Sequence, residues 1–465
     1  MTSLDSNVGE YISNEYFEKK LKNGFFLITT SHGSWSLLTE KEYKILKSGD
    51  FKNTDLFSFF ENKGLIITKK NTSKIVNAFK SQYSFFDEPH MLCVVTLTNR
   101  CTLKCDYCHA CAKPKDSKIK DMDNKTMVAV IDFICSLPHK NIGIEFQGGE
   151  PLFRFDLVKD FLLLLEKKLC LVGKNLTSRV IVTNLTLMTE KIADYVIENN
   201  IGLCSSLDGP KELHDKHRKY VSGKGSYDIV MGWNDYFNKK GRNINFLPTI
   251  TSESIKFGSK SIIDEYLRLG FFRVNLRPIH RIGRGKNKSL WFDDESFFEF
   301  WKSGIEYIIE LNEAGIEFYD YNTQAMLKNI LTPIRSYMCM RTPCGAGISQ
   351  LAFNTDGTIL PCDMARSLPD LKVGNVKKHS YSDISISLLE IKTHTRDTNP
   401  LCDSCIFGAY CGNCLCDTYS AFGDFVLKTP QDFDCKIKKR MLTYLFEKLC
   451  DKRYSVIFNN WVTLK

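Results

Sequence analysis

Between about residue 90 and residue 290 the chain alternates short runs of apolar, often β-branched residues with longer stretches whose apolar residues recur every three or four positions. The runs "MLCVVTL", "IGIEFQ", "RVIVTN", "GLCSSLD", "INFLPTI" and "FRVNLRPI" read as strands. Met127, Ile131 and Ile134, then Leu157, Phe161, Leu164 and Leu165, then Ile192, Tyr195 and Val196 mark the apolar faces of the helices between them. Six such units predict an α/β fold, a partial TIM-like (β/α)6 barrel over residues 90–310. In barrels of this kind the chemistry gathers where strands end, so those loops are the place to look for a site.

A chain of 465 residues, 43% hydrophobic and 25% charged, has ample material for a core and for about three domains. Its amino-terminal stretch lacks the basic and apolar regions of a signal peptide. The longest apolar run, "FLLLL", is far short of a membrane span, so a cytoplasmic location with no membrane partner is expected. In a reducing compartment 18 cysteines are not a disulfide framework, and clustered thiols there read as metal ligands. The net charge of +9 comes from lysines scattered among acids, which argues against nucleic acid.

Residues 1–85 predict a small separate module. "GFFLITT" and "SWSLL" read as a strand pair around the turn "SHG". Thr39 with Glu42 forms a capping box for a helix stopping at Gly49, and a second helix, "DLFSFFENK", stops at Gly64 before the strand "LIIT". This is a winged-helix pattern, and many winged helices bind DNA. Here twelve Lys stand against nine Asp plus Glu in the first 80 residues, without a helix carrying a row of Arg.

"CTLKCDYC" follows the first barrel strand and sets Cys101, Cys105 and Cys108 at one strand end. A structural zinc site wants four protein ligands and a catalytic one three plus water. His109 and Cys111 keep a zinc reading open. An iron–sulfur cube on three thiolates would leave one iron free for another ligand. A second concentration of thiols lies in residues 335–440. Cys339 and Cys344 precede Cys362, and "CDSCIFGAYCGNCLC" supplies Cys402, Cys405, Cys411, Cys414 and Cys416 before Cys435. Its CxxC spacing also suits zinc knuckles. Residues 441–465 read as a carboxy-terminal tail. Of Cys93, Cys111, Cys135, Cys170, Cys204 and Cys450, most read as small core residues.

"CTLKCDYC", with Tyr107 before its last cysteine, resembles the cluster loop of radical S-adenosylmethionine enzymes, and the likeness continues at other strand ends. "QGGEP" is similar to the family's glycine-rich motif. The resemblance implies that Gly148, Gly149 and Glu150 meet the methionine amino group of the cofactor. "TNLTLM" and "SSLDGP" imply Asn184 and Ser206 near its ribose and carboxylate, although the family more often has Gly where Leu185 stands. "HDKHRKY" resembles the peptide-modifying branch. There Arg218 either touches cofactor or, with His214 and His217, lies on a helix surface.

The cysteine-rich segment resembles the SPASM domain, which implies two auxiliary [4Fe–4S] clusters beside the one that binds S-adenosylmethionine. Cys402, Cys405, Cys411 and Cys435 match one set. Cys339, Cys344 and Cys362 belong to the other, completed by Cys416 or Cys414, with Cys416 preferred; the usual spacing would fall on Leu415. Asp363 directly follows Cys362, and in sulfatase-maturating relatives an aspartate at that place is the catalytic base; the alternative is a turn residue.

The amino-terminal module resembles the leader-recognition element of peptide maturases, which pairs a strand edge with a leader peptide. The layout of the whole chain is similar to that of the His-Xaa-Ser system maturases. The resemblance therefore implies an oxidoreductase that modifies or crosslinks a ribosomally made precursor peptide, served by a reductant such as flavodoxin or ferredoxin. Two alternatives stand beside it: a sulfatase-maturating enzyme that makes formylglycine, and a non-catalytic iron–sulfur or zinc protein that carries electrons or binds a partner.

Overall fold

The computed structural model describes residues 11–51, 54–87, 90–335, 337–394, 398–425 and 433–464. The first ten residues of the expected amino-terminal module lie outside the described residues. So do residues 336, 395–397 and 426–432 of the expected cysteine-rich segment.

In the amino-terminal module β1 (Ile12–Ser13) pairs with β5 (Ile66–Ile67), and β2 (Tyr16–Lys20), β3 (Phe26–Thr30) and β4 (Trp35–Leu38) form an antiparallel sheet. Three helices accompany them, α1 (Glu40–Ser48), α2 (Thr54–Lys63) and α3 (Thr72–Gln82). The Thr39 side chain accepts from the Glu42 backbone N–H and Glu42 reaches back to the Thr39 N–H, so both ends of the expected capping box are made. Gly49 closes α1 at φ 70°, a conformation in which a Cβ is penalised. Ile28, Leu38, Leu46, Phe51, Phe60, Leu65 and Ile66 form a core of their own. The module docks on the rest of the chain through Trp35 Nε1 donating to the Ile330 carbonyl (2.9 Å) and Thr29 Oγ1 donating to the Ile406 carbonyl (2.7 Å).

The barrel strands are β6 (His90–Thr98), β9 (Asn141–Gly148), β10 (Asn175–Val182), β11 (Gly202–Ser206) and β12 (Asn245–Leu247), paired in parallel in that order. Between β6 and β9 a short ladder, β7 (Arg100–Cys101) with β8 (Lys113–Pro114), brackets the cysteine loop. Helices α4 (Asn124–Ser136), α5 (Phe155–Leu171), α6 (Glu190–Glu198), α7 (Lys211–His217), α8 (Tyr227–Lys239), α9 (Ser252–Phe257) and α10 (Ser259–Arg268) fill the crossovers. Parallel neighbours require such crossovers, and strands buried on both faces read as continuous apolar runs, which is the pattern of "MLCVVTL".

The sixth strand is shorter than its sequence suggests. "FRVNLRPI" is strand only at β13 (Arg273–Val274), which pairs with β14 (Tyr319–Asp320), and it meets β12's extension through a single Ile250–Pro278 bridge. Pro278 has no N–H to donate, and the Leu276 N–H is taken by the Asp320 carboxylate (2.7 Å), so the ladder cannot continue.

Beyond α11 (Asp294–Glu313) and α12 (Tyr321–Leu331) the chain returns to the barrel sheet. Strand β15 (Gln350–Phe353) pairs in parallel with β6, and β16 (Thr358–Leu360) and β17 (Gly374–Asn375) add antiparallel strands, giving one eight-stranded sheet. The cysteine-rich segment is thereby an extension of the barrel's first strand. Short helices α13 (Tyr381–Ser387), α14 (Leu389–Thr393) and α15 (Pro400–Asp403) lead to α16 (Leu415–Phe422), α17 (Phe433–Lys448) and α18 (Lys452–Thr463). The expected boundaries at 310 and 440 fall inside α11 and α17. The expected tail is helical, with Phe458 and Trp461 buried. Among the described residues no helix is long and apolar enough to cross a membrane.

Candidate metal and cofactor site

Cys101, Cys105 and Cys108 converge in one small cluster with Leu103 and Ala112 at the mouth of β6. Their loop is tied down from outside: the Lys104 N–H donates to the Lys219 carbonyl (2.7 Å) and the Asp106 N–H to the His217 carbonyl (3.3 Å). Burial pushes the Cys105 thiol up to about 11, and burial with the nearby Glu150 carboxylate pushes Cys101 higher still. Grouped thiols that resist ionisation in isolation become stable thiolates on a metal, which supplies the missing positive charge. This donor set fits an iron–sulfur cluster.

The second strand end is locked against this loop. Gly149 N–H donates to the Thr98 carbonyl and Glu150 N–H to the Arg100 carbonyl, both at 2.8 Å. A Cβ on Gly148 would stand 2.2 Å from the Thr98 carbonyl oxygen, and one on Gly149 2.1 Å from that of Arg100. Only glycine allows this approach. Glu150 is fully buried and accepts from Leu152 N–H (3.1 Å), Thr183 Oγ1 (2.6 Å) and Asn184 N–H (2.8 Å). Burial raises its pKa to about 7 against those bonds. A carboxylate offers about four acceptor directions, so one remains for a further donor.

At the third strand end Asn184 Nδ2 lies 3.4 Å from Cys101 Sγ and 3.2 Å from Thr102 Oγ1. The departure at Leu185 has a structural counterpart: its backbone adopts φ 64°, the left-handed region that favours glycine, while its side chain is wholly buried. Core packing holds there what glycine would supply by flexibility. Ser206 ends β11, opposite Leu247.

Arg218 is not a surface residue. Its guanidinium makes two 3.0 Å hydrogen bonds to buried Asp208 and lies 5.1 Å from the Tyr107 ring centre; the Tyr107 hydroxyl donates to the same carboxylate. Burial would raise the Asp208 pKa, but Arg218 holds it below the ordinary range. His214 and His217 are buried as well, His214 bonded to Ser226 Oγ (3.0 Å) and His217 to Asp106 and Thr251 (3.2 and 3.0 Å). The surface alternative fails for all three. Asp208, from the fourth strand end, was missed in the sequence; "SSLDGP" contains it, but nothing local marks its partner.

In the carboxy-terminal segment Cys339, Cys344, Cys362, Cys414 and Cys416 interact as one group, with Cys362 Sγ and Cys416 Sγ 3.5 Å apart. Cys416 is buried at 3% exposure, whereas Cys414 also groups with His280 and Asp417. Cys402, Cys405, Cys411 and Cys435 line a small recess that Cys344 also reaches. Of the remaining cysteines Cys93 is buried and Cys111, Cys135 and Cys204 are half-buried, but Cys170 and Cys450 are exposed and so are not core residues.

Asp363 accepts from Gln350 Nε2 (3.3 Å) and has His109 Nε2 at 3.9 Å. Burial raises its pKa, yet His109, Arg366 and Arg277 together hold it below the carboxylate range. Arg366 connects this segment to the glycine-rich motif, donating to Gln147 Oε1 (2.6 Å) and the Gly148 carbonyl (3.3 Å). A cavity of about 480 Å³ opens beside the carboxy-terminal cysteines, and none of its lining residues comes from 101–108. Ile279 and Trp291 line it and also pack around Tyr107 and Cys105, while Cys339 and Cys414 line its other side.

Residues 95–256 match the Radical SAM superfamily, and residues 344–406 match SPASM, an iron–sulfur cluster-binding domain. The chain thus carries a radical SAM domain followed by a SPASM domain, the domain types of [4Fe–4S] clusters and S-adenosylmethionine. An uncharacterized protein of Methanocaldococcus jannaschii is 34% identical over 38% of this chain and 62% of its own length, so this chain spans less than two thirds of that relative. The cysteine-type anaerobic sulfatase-maturating enzyme of Clostridium perfringens is 25% identical over 64% of this chain and 80% of that protein. The radical SAM cyclopropyl synthase TigE of Paramaledivibacter caminithermalis is 22% identical over 56% and 61%.

Among solved structures, native anSMEcpe with bound AdoMet superposes with TM-score 0.67 at 19% identity, covering 79% of this chain and all of that one. Streptococcus suis SuiB bound to precursor peptide SuiA gives TM-score 0.50 at 15% identity, covering 91% and 98%. These structural likenesses establish the fold.

Proposed function

We propose that the chain is a radical S-adenosylmethionine peptide maturase that oxidises or crosslinks side chains of a ribosomally made precursor peptide. The observation that carries this reading is the 480 Å³ cavity lined by Cys339 and Cys414 and by Ile279 and Trp291, which also pack against Tyr107 and Cys105 of the three-cysteine loop. A space of that size suits one or two peptide side chains. The amino-terminal three-stranded sheet, with β2 at its edge, adds a surface for the leader segment.

Cys101, Cys105 and Cys108 are the ligands of the cluster with one open iron. Cys339, Cys344, Cys362 and Cys416 form one closed auxiliary set, and Cys402, Cys405, Cys411 and Cys435 the other. S-adenosylmethionine held at the three-cysteine loop would supply the radical chemistry that removes hydrogen from an unactivated C–H bond. Gly148 and Gly149 bring backbone close to the cofactor's methionine end, and Glu150 offers its remaining acceptor direction to the ammonium. Asn184 and Ser206 would hold the ribose and carboxylate ends of the cofactor. Tyr107 and Arg218, fixed on Asp208, hold the loop rigid under the cofactor and exclude water from beneath it. Asp363, kept ionised by Arg366 and Arg277, would accept the proton that a substrate radical releases on oxidation, and the auxiliary cluster held by Cys339, Cys344, Cys362 and Cys416 would take the electron. A small electron carrier such as flavodoxin or ferredoxin would supply the reducing electron.

Coexpression with a short peptide encoded beside this chain's gene, followed by mass spectrometry, tests the reading. Loss of two hydrogens supports oxidation or crosslinking, and an unchanged mass rejects that peptide as substrate. Formylglycine formation is the second reading, favoured by Asp363 after Cys362 and by the sulfatase-maturating relatives. An aldehyde on a sulfatase-type peptide, with no change in the neighbouring peptide, would select it. A non-catalytic electron carrier would cleave no S-adenosylmethionine at all.

A further inference from the structure

The charged groups around the 480 Å³ cavity are mostly paired with one another. His280 Nδ1 is hydrogen-bonded to Asp417, and Lys438 to Asp434 and the Gly412 carbonyl. Arg281 is held between Trp291 and Phe433, 4.3 and 3.7 Å from their ring centres, and donates to the Phe292 carbonyl (3.2 Å). Arg277 differs. Among the described residues no carboxylate lies within 4.0 Å of its guanidinium and its side chain donates no hydrogen bond, although it lines the cavity wall beside Tyr337 and Cys339. Its nitrogens are not sealed in protein, so they open to the cavity.

A guanidinium carries five N–H donors in a planar fork that matches a carboxylate at two points, and leaving it unmatched in a recess is costly. Burial works against its charge, and the Asp417 carboxylate nearby favours it without bonding it. Lys286 adds a second cation to the same wall. We infer that the cavity receives a carboxylate of the substrate peptide, either an Asp or Glu side chain or the peptide's terminal carboxylate, and that Arg277 binds it as a specificity-determining residue. This rests on the peptide-substrate reading and narrows it. The competing role for Arg277 is counter-charge to a cluster on Cys339.

The test uses the anaerobically reconstituted full chain and three probes: acetyl-Ala-Glu-Ala-amide, acetyl-Ala-Gln-Ala-amide and acetyl-Ala-Gln-Ala with a free carboxyl terminus. Affinities are read by ligand-observed NMR titration. A preference of roughly tenfold for a carboxylate peptide over the all-amide peptide is expected. That preference disappears in Arg277→Gln and is partly retained in Arg277→Lys, with iron content and melting temperature unchanged in the lysine variant. Which carboxylate peptide binds better identifies the source. Equal binding of all three peptides overturns the inference and leaves the peptide reading standing, whereas no binding of any peptide overturns both. Loss of iron in Arg277→Gln with the peptide preference intact would assign Arg277 to the cluster instead.

Discussion

Cys101, Cys105 and Cys108 come from eight consecutive residues, whereas Cys339, Cys344, Cys362, Cys414 and Cys416 are drawn together from stretches far apart in the chain. The first region offers three thiols and is held in shape by strand ends packed around it. The second offers more thiols than one cluster needs, on a segment that joins the barrel sheet through β15. The difference teaches how the two act. A short loop whose base is tied through the Thr98 and Arg100 carbonyls to the Gly149 and Glu150 N–H groups would present a cluster with an open side, and the distributed set would enclose its cluster.

The largest expected effect separates the regions by iron. Cys105→Ala should lower iron by about four atoms per chain, as should Cys435→Ala, since each removes one cubane; an iron assay on purified anaerobic protein checks both. Next, Asp208→Asn leaves Arg218 buried without its carboxylate. Breaking such a pair costs about 3–5 kcal/mol, seen as a fall in melting temperature, and it loosens the loop alone. Gly149→Ala forces a Cβ against the Arg100 carbonyl. Displacement of the loop by about 1 Å should slow cofactor cleavage on the order of a hundredfold while leaving the iron of the cysteine-rich segment in place.

Two smaller effects sharpen the comparison. Cys416→Ser should remove the iron of the first auxiliary set, and Cys414→Ser should leave it, because Cys416 is buried against Cys362 while Cys414 groups with His280 and Asp417. Equal iron loss in both would make the assignment to Cys416 wrong. Leu185→Gly relieves about 1–2 kcal/mol of left-handed backbone cost but deletes a fully buried leucine worth about 2–5 kcal/mol. Packing outweighs strain, so a net destabilisation of about 1–3 kcal/mol is expected in chemical denaturation.

Local signals were readable in the sequence where the physics is local. The capping box at Thr39 and Glu42, the stop at Gly49 and the first five barrel strands depend on neighbours within a few residues. The three-cysteine loop is equally local, and its spacing alone pointed to a metal with an open position. The shortening of the sixth strand was not visible, because it depends on Asp320 capturing the Leu276 N–H from 44 positions away. The sequence left Arg218 open between cofactor contact and a helix surface for the same reason: its burial comes from Tyr107, 111 residues upstream in the chain, and from Asp208 at another strand end. Arg277 carried no sequence signal at all. It matters only because every other charge on its cavity wall except Lys286 has found a partner.

The central claim is that radical initiation belongs to the loop at 101–108. Deoxyadenosine formed from S-adenosylmethionine by dithionite-reduced protein tests it, in wild type, Cys105→Ala and Cys435→Ala. The account predicts deoxyadenosine from the wild type and from Cys435→Ala, and none from Cys105→Ala. Deoxyadenosine formation by Cys105→Ala at the wild-type rate, or its loss in Cys435→Ala with the loop's iron intact, would contradict it.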